Sequence, residues 1–384
     1  MLHRELKRRH FLQGLGAGAV AASLSGCAQT PVNKGFERPF SRKPMVAPRI
    51  SANNIITEIV GHRPYRAEGF VVRSEPFGDK TLVHNYGHGG GGVPLSWGSS
   101  ALAVSEVKNA EMGNAKGKKA AIIGGGVMGL TTARLLQEAG WSVTIYTREM
   151  ARHTTSQVAG GEWGPFSVHD PLVSSAAFKL QLQLAAQISH ETFASMVGDD
   201  YAIKWIELYT ASNTPPKADS PFSQFYPYRD IYGPGDHPFP TNYCTVSATM
   251  LVETATFLRR LIQDVRAAGG EFVVRDFKDQ DEIHALQEPV VFNCTGLGSR
   301  ALFGDEGITP AKGQLILLPP DPAVDFLTVG GGSGKGPLYM FSRNDYMILG
   351  GTFKPGDWSK QPEPQETERI LTESQAFFAG LSKS

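Results

Sequence analysis

Cysteine is scarce: the chain has 3 in 384 residues, at Cys27, Cys244 and Cys294. Two cysteines beyond the leader cannot build a disulfide framework, so the fold must be held by its core. Excess charge of either sign is also missing, with 37 Lys+Arg against 37 Asp+Glu. That balance excludes the basic footprint of a nucleic-acid binder. No apolar run is long enough for a permanent membrane span. There are no internal repeats and no low-complexity segment, and no metal site is expected. What is present is 41% hydrophobic residues with 43 Gly and 25 Pro. That is enough for a substantial core, in one large domain or two interleaved ones.

The first 27 residues read as a targeting segment. Lys7-Arg8-Arg9-His10-Phe11-Leu12 is a twin-arginine start, and a short apolar run over 14–24 follows. Leu24-Ser25-Gly26-Cys27 then has the form of a lipobox, with Cys27 as the lipidated residue. The expectation is export to the periplasmic side of a bacterial membrane, with a lipid anchor on Cys27. Residues 28–50, rich in Pro, Arg, Lys and Asn, read as a tether.

Two glycine-rich stretches carry the chemistry, and their order is unusual. HNYGHGGGG at 84–92 comes first, and GGGVMG at 124–129 follows. Each leads into a helical pattern, so each can offer backbone N–H groups to an anionic part of a ligand. The second is normally the opening of a dinucleotide-binding fold, yet more than a hundred residues precede it.

The pattern predicts strands over 65–73 and 81–86, a helix over 95–107, and a small polar linker over 109–119. A βαβ unit follows: strand 120–123, helix 127–139, strand 142–146. Helices are expected over 173–196 and 249–268, and strands over 271–275 and 290–293. Three further strands are expected at 314–318, 338–341 and 346–349, then a final helix over 365–379. The order implies an α/β fold: a Rossmann-type domain with a parallel sheet, plus a mainly antiparallel second layer.

Within the loop, Gly124 allows the tight turn. Gly125, Gly126, Val127 and Met128 bring backbone to a pyrophosphate, and Gly129 lets helix and strand pack. Glu149 stands at the distance of a ribose-binding carboxylate, though a solvated loop carboxylate fits it equally. A flavin or a nicotinamide could use this loop. Thr154, Thr155 and Ser156, followed by Gly160 and Gly161, suit a ligand wrapped along its length and favour FAD.

Six stretches together resemble the D-amino-acid oxidase family: GHRPYR (61–66), VHNYGHGGGGVPLSWGSS (83–100), IIGGGVMGLTTA (122–133), HTTSQVAGGEWGP (153–165), NCTGLGS (293–299) and YMFSRNDYMILGGTF (339–353). In that family the first two lie near the C-terminus. The chain therefore reads as a circular permutation: 51–107 is the moved segment, 108–119 the new join, and 120–384 holds interleaved FAD-binding and substrate-binding domains. Its eleven linker residues, 109–119, span at most roughly 35 Å, at about 3.3 Å per residue.

The resemblance implies FAD as cofactor and a D-amino acid, a small molecule, as substrate. It also implies oxidative deamination to a 2-oxo acid, with O2 or another acceptor taking the electrons. Arg63 matches the arginine that binds the substrate carboxylate, and Tyr339 the tyrosine that joins it. Gly90 matches the residue whose carbonyl accepts from the substrate amine, and Gly89, Gly91 and Gly92 serve the flavin. His88 is expected to hydrogen-bond structurally within its loop. Arg343 is read as either meeting an acidic substrate side chain or facing solvent. The family's lid tyrosine is absent, with residues 330–335 in its place, and Gly164 stands where a polar residue is usual. Two rival readings stay open: amine or glycine oxidation with a quinone acceptor, and a flavin-binding lipoprotein without turnover.

Overall fold

One largely parallel sheet, its central strands buried on both faces, organises the nucleotide-binding part of the molecule. The computed structural model describes residues 45–110, 117–150, 154–217 and 221–381. The targeting segment, most of the tether and most of the linker lie outside the described residues. The chain starts with β1 (Thr57–Arg66), β2 (Val71–Phe77), β3 (Lys80–Tyr86) and α1 (Gly92–Ala110). Then come β4 (Lys119–Ile123), α2 (Val127–Glu138), β5 (Ser142–Thr147), α3 (Ala176–Ser195), β6 (Ile203–Ser212), β7 (Arg229–Tyr232) and β8 (Tyr243–Val252). α4 (Thr254–Ala267), β9 (Glu271–Val274), α5 (Gln280–His284), β10 (Val290–Asn293) and α6 (Gly298–Phe303) follow. The last part holds β11 (Ile308–Leu318), β12 (Phe326–Gly330), β13 (Tyr339–Ser342), β14 (Met347–Gly350), β15 (Lys354–Pro355) and α7 (Pro364–Phe378).

The first sheet runs β2-β3-β10-β4-β5-β9. All its pairings are parallel except β2 with β3. Its central strands read as continuous apolar runs because both faces are covered. Val83, Ile122, Ile145 and Phe292 pack one face against α1, α2 and α4 side chains, while Leu82, Ile123, Val291 and Phe277 form a core on the other. α2 sits close to its loop because Gly129 has no Cβ; one would lie 1.9 Å from the Gly124 carbonyl oxygen. Gly140, at φ 82, ends that helix in the left-handed conformation.

The second sheet runs β1-β11-β14-β13-β12-β6-β8-β7, with β15 on β11, and is antiparallel except between β12 and β6. α7 covers one face, burying Ile370, Phe377 and Phe378 against Ile316, Met340 and Leu349. Met45, Ile50 and Ile55 join that same cluster, and the Ile50 carbonyl accepts from Gln375 Nε2 at 3.1 Å. The start of the described chain and its last helix are therefore in contact.

Several expected boundaries are corrected. Residues 65–73 are not one strand: a turn through Gly69 (φ 104) separates β1 from β2, and a Cβ at Gly69 would overlap the Phe178 ring. The expected helix over 249–268 is two elements. Residues 249–252 finish β8, where an almost wholly buried strand shows no alternation to distinguish it from a buried helix. α3 begins at Ala176 because the Ser175 hydroxyl caps it, accepting from Phe178 N–H at 3.1 Å. β6, β7 and β12 were not anticipated. β6 pairs on both sides with strands distant in sequence, so its stability comes from neighbours that no local pattern records.

Candidate active site

β3, β10 and β4 are adjacent and parallel, with Asn293 opposite both His84 and Ile123. Their carboxyl ends open into residues 87–92, 294–298 and 124–129, so three glycine-bearing loops meet at one sheet edge. Ligands of open α/β sheets bind at that edge. A cavity of about 1510 Å³ occupies it, and Gly89, Gly126, Arg63 and Tyr339 all line its wall.

The dinucleotide loop is shaped by what its glycines lack. Gly124 is at φ 120, and a Cβ there would lie 2.3 Å from the Cys294 carbonyl oxygen. At Gly125 a Cβ would lie 2.7 Å from Thr147 Oγ1. α2 starts at Val127 with Gly126 as an N-cap that offers no side chain. Ser156 Oγ instead accepts from the Val127 N–H at 3.1 Å. Gly126, Val127 and Met128 line the cavity, so the positive end of α2 meets whatever fills it. α1 opens into the same cavity at Gly92, where a Cβ would touch nothing. Two helix N-termini and bare backbone along one elongated wall fit FAD, whose pyrophosphate the α2 end would hold.

Glu149, Thr154, Thr155, Ser156, Gly160 and Gly161 all line the cavity. Thr155 Oγ1 also donates to the His62 carbonyl at 3.4 Å. Two sequence-derived candidates lie off the cavity wall. Gly91 packs into the core, where a Cβ would meet Val168 and Leu95, and Gly129 serves the contact with Gly124. Gly90 is on the wall, and its own N–H donates to Ser167 O at 3.0 Å.

Arg63 and Tyr339 come from strands that are not neighbours, since β11 and β14 lie between β1 and β13. They meet because glycines empty the space over both intervening strands. A Cβ at Gly313 on β11 would lie 2.2 Å from Arg63 Nη1, and one at Gly350 on β14 would lie 2.1 Å from Tyr339 Cζ. Arg63 Nη2 donates to the Tyr339 hydroxyl at 3.4 Å, and Nη1 to the Thr352 carbonyl at 3.1 Å. Burial raises the Tyr339 hydroxyl above its ordinary pKa, with Arg63 opposing the rise. The phenol keeps its proton and, accepting from Arg63, can donate that proton elsewhere. Among the described residues no acidic side chain pairs with Arg63. A half-buried guanidinium held only by neutral oxygens is short of an anion.

His88 is structural. Its Nε2 is 2.7 Å from Ser99 Oγ, its ring stacks on Phe70 at 4.6 Å, and burial pushes its pKa down to about 3. Arg343 matches neither reading made of it, being 5% exposed and off the cavity wall. It pairs with Asp345 and Glu253 and donates to Ala159 O and Thr254 Oγ1. Residues 330–335 do not line the cavity either. Gly331 packs on Phe377, and Ser333 bonds Glu373 of α7.

Among the wall residues that sequence reasoning did not reach are Glu162, Phe166, Trp358 and Lys360. Glu162 is 8% exposed, and burial pushes its carboxyl up to about 7. A carboxylate beside a buried tryptophan within a glycine-rich turn was the available signal. Trp358 stacks edge-on to His62 at 6.4 Å, on a segment that gave no periodic pattern.

A parallel sheet whose nucleotide loop shares a cavity with an unpaired arginine, walled by an antiparallel sheet, defines a two-layer dinucleotide-dependent oxidoreductase. The family model described as FAD dependent oxidoreductase matches residues 119–384, and the chain belongs to that family. FAD is its cofactor. Relatives include the D-amino-acid oxidase of Streptomyces coelicolor, 29% identical over 268 residues, covering 68% of this chain and 78% of the relative. The D-aspartate oxidase of Homo sapiens is 27% identical over 269 residues, covering 68% and 76%. Among solved structures, glycine oxidase from Geobacillus kaustophilus aligns with a TM-score of 0.51 at 17% identity, covering 70% of this chain and 81% of that one. The fold is thus that of the amino-acid-oxidising flavoenzymes. The family match begins at residue 119, so β1–β3 and α1 stand outside it while completing both sheets.

Proposed function

We propose that the protein oxidises D-amino acids to imino acids, which water hydrolyses to 2-oxo acids and ammonia, with O2 reduced to H2O2. The observation that carries this reading is Arg63: a guanidinium without an acidic partner, opposite a nucleotide loop in one cavity. A planar guanidinium takes a carboxylate through two parallel N–H···O bonds, which fixes its orientation as well as its position. Tyr339 adds a third donor from β13, which β11 and β14 separate from β1, and the Gly90 carbonyl accepts from the substrate amine. FAD, when bound, supplies two-electron redox chemistry. The chain's own contribution is placement: three points hold the α-carbon so that one face meets the cofactor.

The test is anaerobic bleaching of the yellow protein by D-alanine, D-aspartate, L-alanine, glycine and N-methylglycine in turn. Bleaching by D-isomers with L-alanine inert is the expected result. Bleaching by glycine or N-methylglycine alone would replace this reading with a different amine oxidation. Resistance to all five would mark a protein without turnover.

The segment order supports circular permutation, because residues 45–55 pack on the last helix while the family match starts at 119. The leader supports export as a lipoprotein anchored through Cys27. Its twin arginines are tested by replacing Arg8 and Arg9 with Lys, which should stop export.

A further inference from the structure

Glu162 is a buried carboxyl in the cavity wall, and its surroundings offer it no cation. Its stretch pairs with β8 through a bridge to Leu251, and Trp163 N–H donates to Met250 O at 2.8 Å, so its backbone is fixed. Thr249 Oγ1 lies 3.0 Å from Glu162 Oε1 and also 3.0 Å from the Trp163 carbonyl. One hydroxyl proton cannot fully serve both acceptors. No lysine, arginine or histidine among the described residues acts on this carboxyl. A carboxylate left like this in a buried wall is costly unless something cationic arrives.

The adjoining residues set an aromatic ring beside that carboxyl. Gly164, also on the wall, has no side chain. The point where its Cβ would stand lies 2.6 Å from Glu162 Oε2 and 2.2 Å from Phe166 Cε2. Those two side chains close over the Gly164 backbone, which sets a carboxylate oxygen and an aromatic ring next to one another in the wall. Phe166 is 52% exposed, unusually so for a phenylalanine, which leaves much of its ring uncovered. Carboxylate and aromatic face together are what an ammonium or guanidinium prefers, by charge and by cation–π attraction. An aliphatic side chain there would leave the carboxylate unpaired.

We propose that Glu162 and Phe166 form a side-chain subsite that selects D-amino acids with a cationic side chain. The substrate is then held at both ends: its α-carboxylate on Arg63 and its distal cation on Glu162. This rests on the D-amino-acid reading above. A uniformly apolar wall would discriminate by size alone, whereas this one discriminates by charge.

The test compares kcat/KM for D-lysine and D-norleucine, which differ by the terminal amine, in the FAD-loaded protein at pH 8. D-arginine and D-alanine complete the panel. D-Lysine is expected to exceed D-norleucine by at least about tenfold, and Glu162→Gln to lower that ratio by at least about tenfold. Flavin absorbance reports whether each variant is folded and loaded, and Glu162→Leu provides a second variant of different shape. D-Norleucine matching or exceeding D-lysine in the unaltered protein would overturn the inference alone, because D-amino-acid oxidation would still stand. So would a ratio that neither flavin-loaded variant changes. Failure of every D-amino acid to reduce the flavin would overturn both this inference and the reading it rests on.

Discussion

The ring of Tyr339 lies directly over the backbone of Gly350, in space that any other residue on β14 would fill. A Cβ at Gly350 would stand 2.1 Å from Tyr339 Cζ and 2.5 Å from its hydroxyl oxygen. Gly350→Ala must therefore push the phenol off Arg63. The expected result is a rise in KM for D-amino acids of about tenfold or more, with flavin content retained, since the nucleotide loop belongs to the other sheet. Stopped-flow reduction at varied substrate concentration measures it. An unchanged KM would mean that Tyr339 does not touch substrate.

Arg63→Ala removes a charge-assisted, bidentate contact and should cost on the order of 3 kcal/mol or more in kcat/KM. Arg63→Lys restores the charge without the planar fork, and should recover only part of the loss. Full recovery by lysine would show that charge alone, not orientation, is what the residue supplies.

Glu162 makes stability depend on pH in a definite direction. Its carboxyl is pushed up to about 7 by burial, above the ordinary 4.5. Folding therefore favours the protonated form. That favourable contribution is complete below pH 4.5 and is lost as pH rises through 7. Its full size is about 3 kcal/mol, since each tenfold change in an acidity constant is worth roughly 1.4 kcal/mol. Of the neighbouring groups, Tyr226 is raised far above this range, and burial holds the pKa of His190, packed on Trp163, below 6.5. Glu162→Gln leaves both groups in place, so the difference between the two stability curves reports Glu162 itself. Thermal unfolding from pH 5 to 8 should show the unaltered protein losing ground to Glu162→Gln as pH rises. Parallel curves would mean an ordinary, solvated carboxyl.

Segment order can be tested by restoring it. A chain running 117–381, then a short linker, then 45–110, uses the contact between Ile50 and Gln375 as its join. It should bind FAD and oxidise the same substrates as the natural order. Loss of flavin binding in a soluble, folded product would mean that the chain connection through residues 111–116 is itself required.

Much of this architecture could be read from residues alone, for physical reasons that differ by element. The βαβ unit was legible because an apolar strand, a glycine loop and a helix with its stripe of Leu130, Ala133 and Leu136 are local signals. Arg63 and Tyr339 were legible only through motif resemblance, since Gly313 and Gly350 make room for them from strands distant in sequence. β8 was misread because nine of its ten residues are buried, which erases the alternation that marks a strand. The burial of Arg343 is not legible locally because Glu253 and Thr254, two of its partners, lie about ninety residues away. Glu162 was passed over because only its surroundings make a lone glutamate unusual.

The neighbours of β3 and β1 also set a timetable for biosynthesis. β3 pairs with β2 and β10, and β1 pairs with β11. The first-translated part of the described chain thus waits for residues 290–318 before its edges find partners. Nascent chains must carry open strands through most of translation, which invites chaperone attendance, and cofactor capture becomes an event of the finished polypeptide.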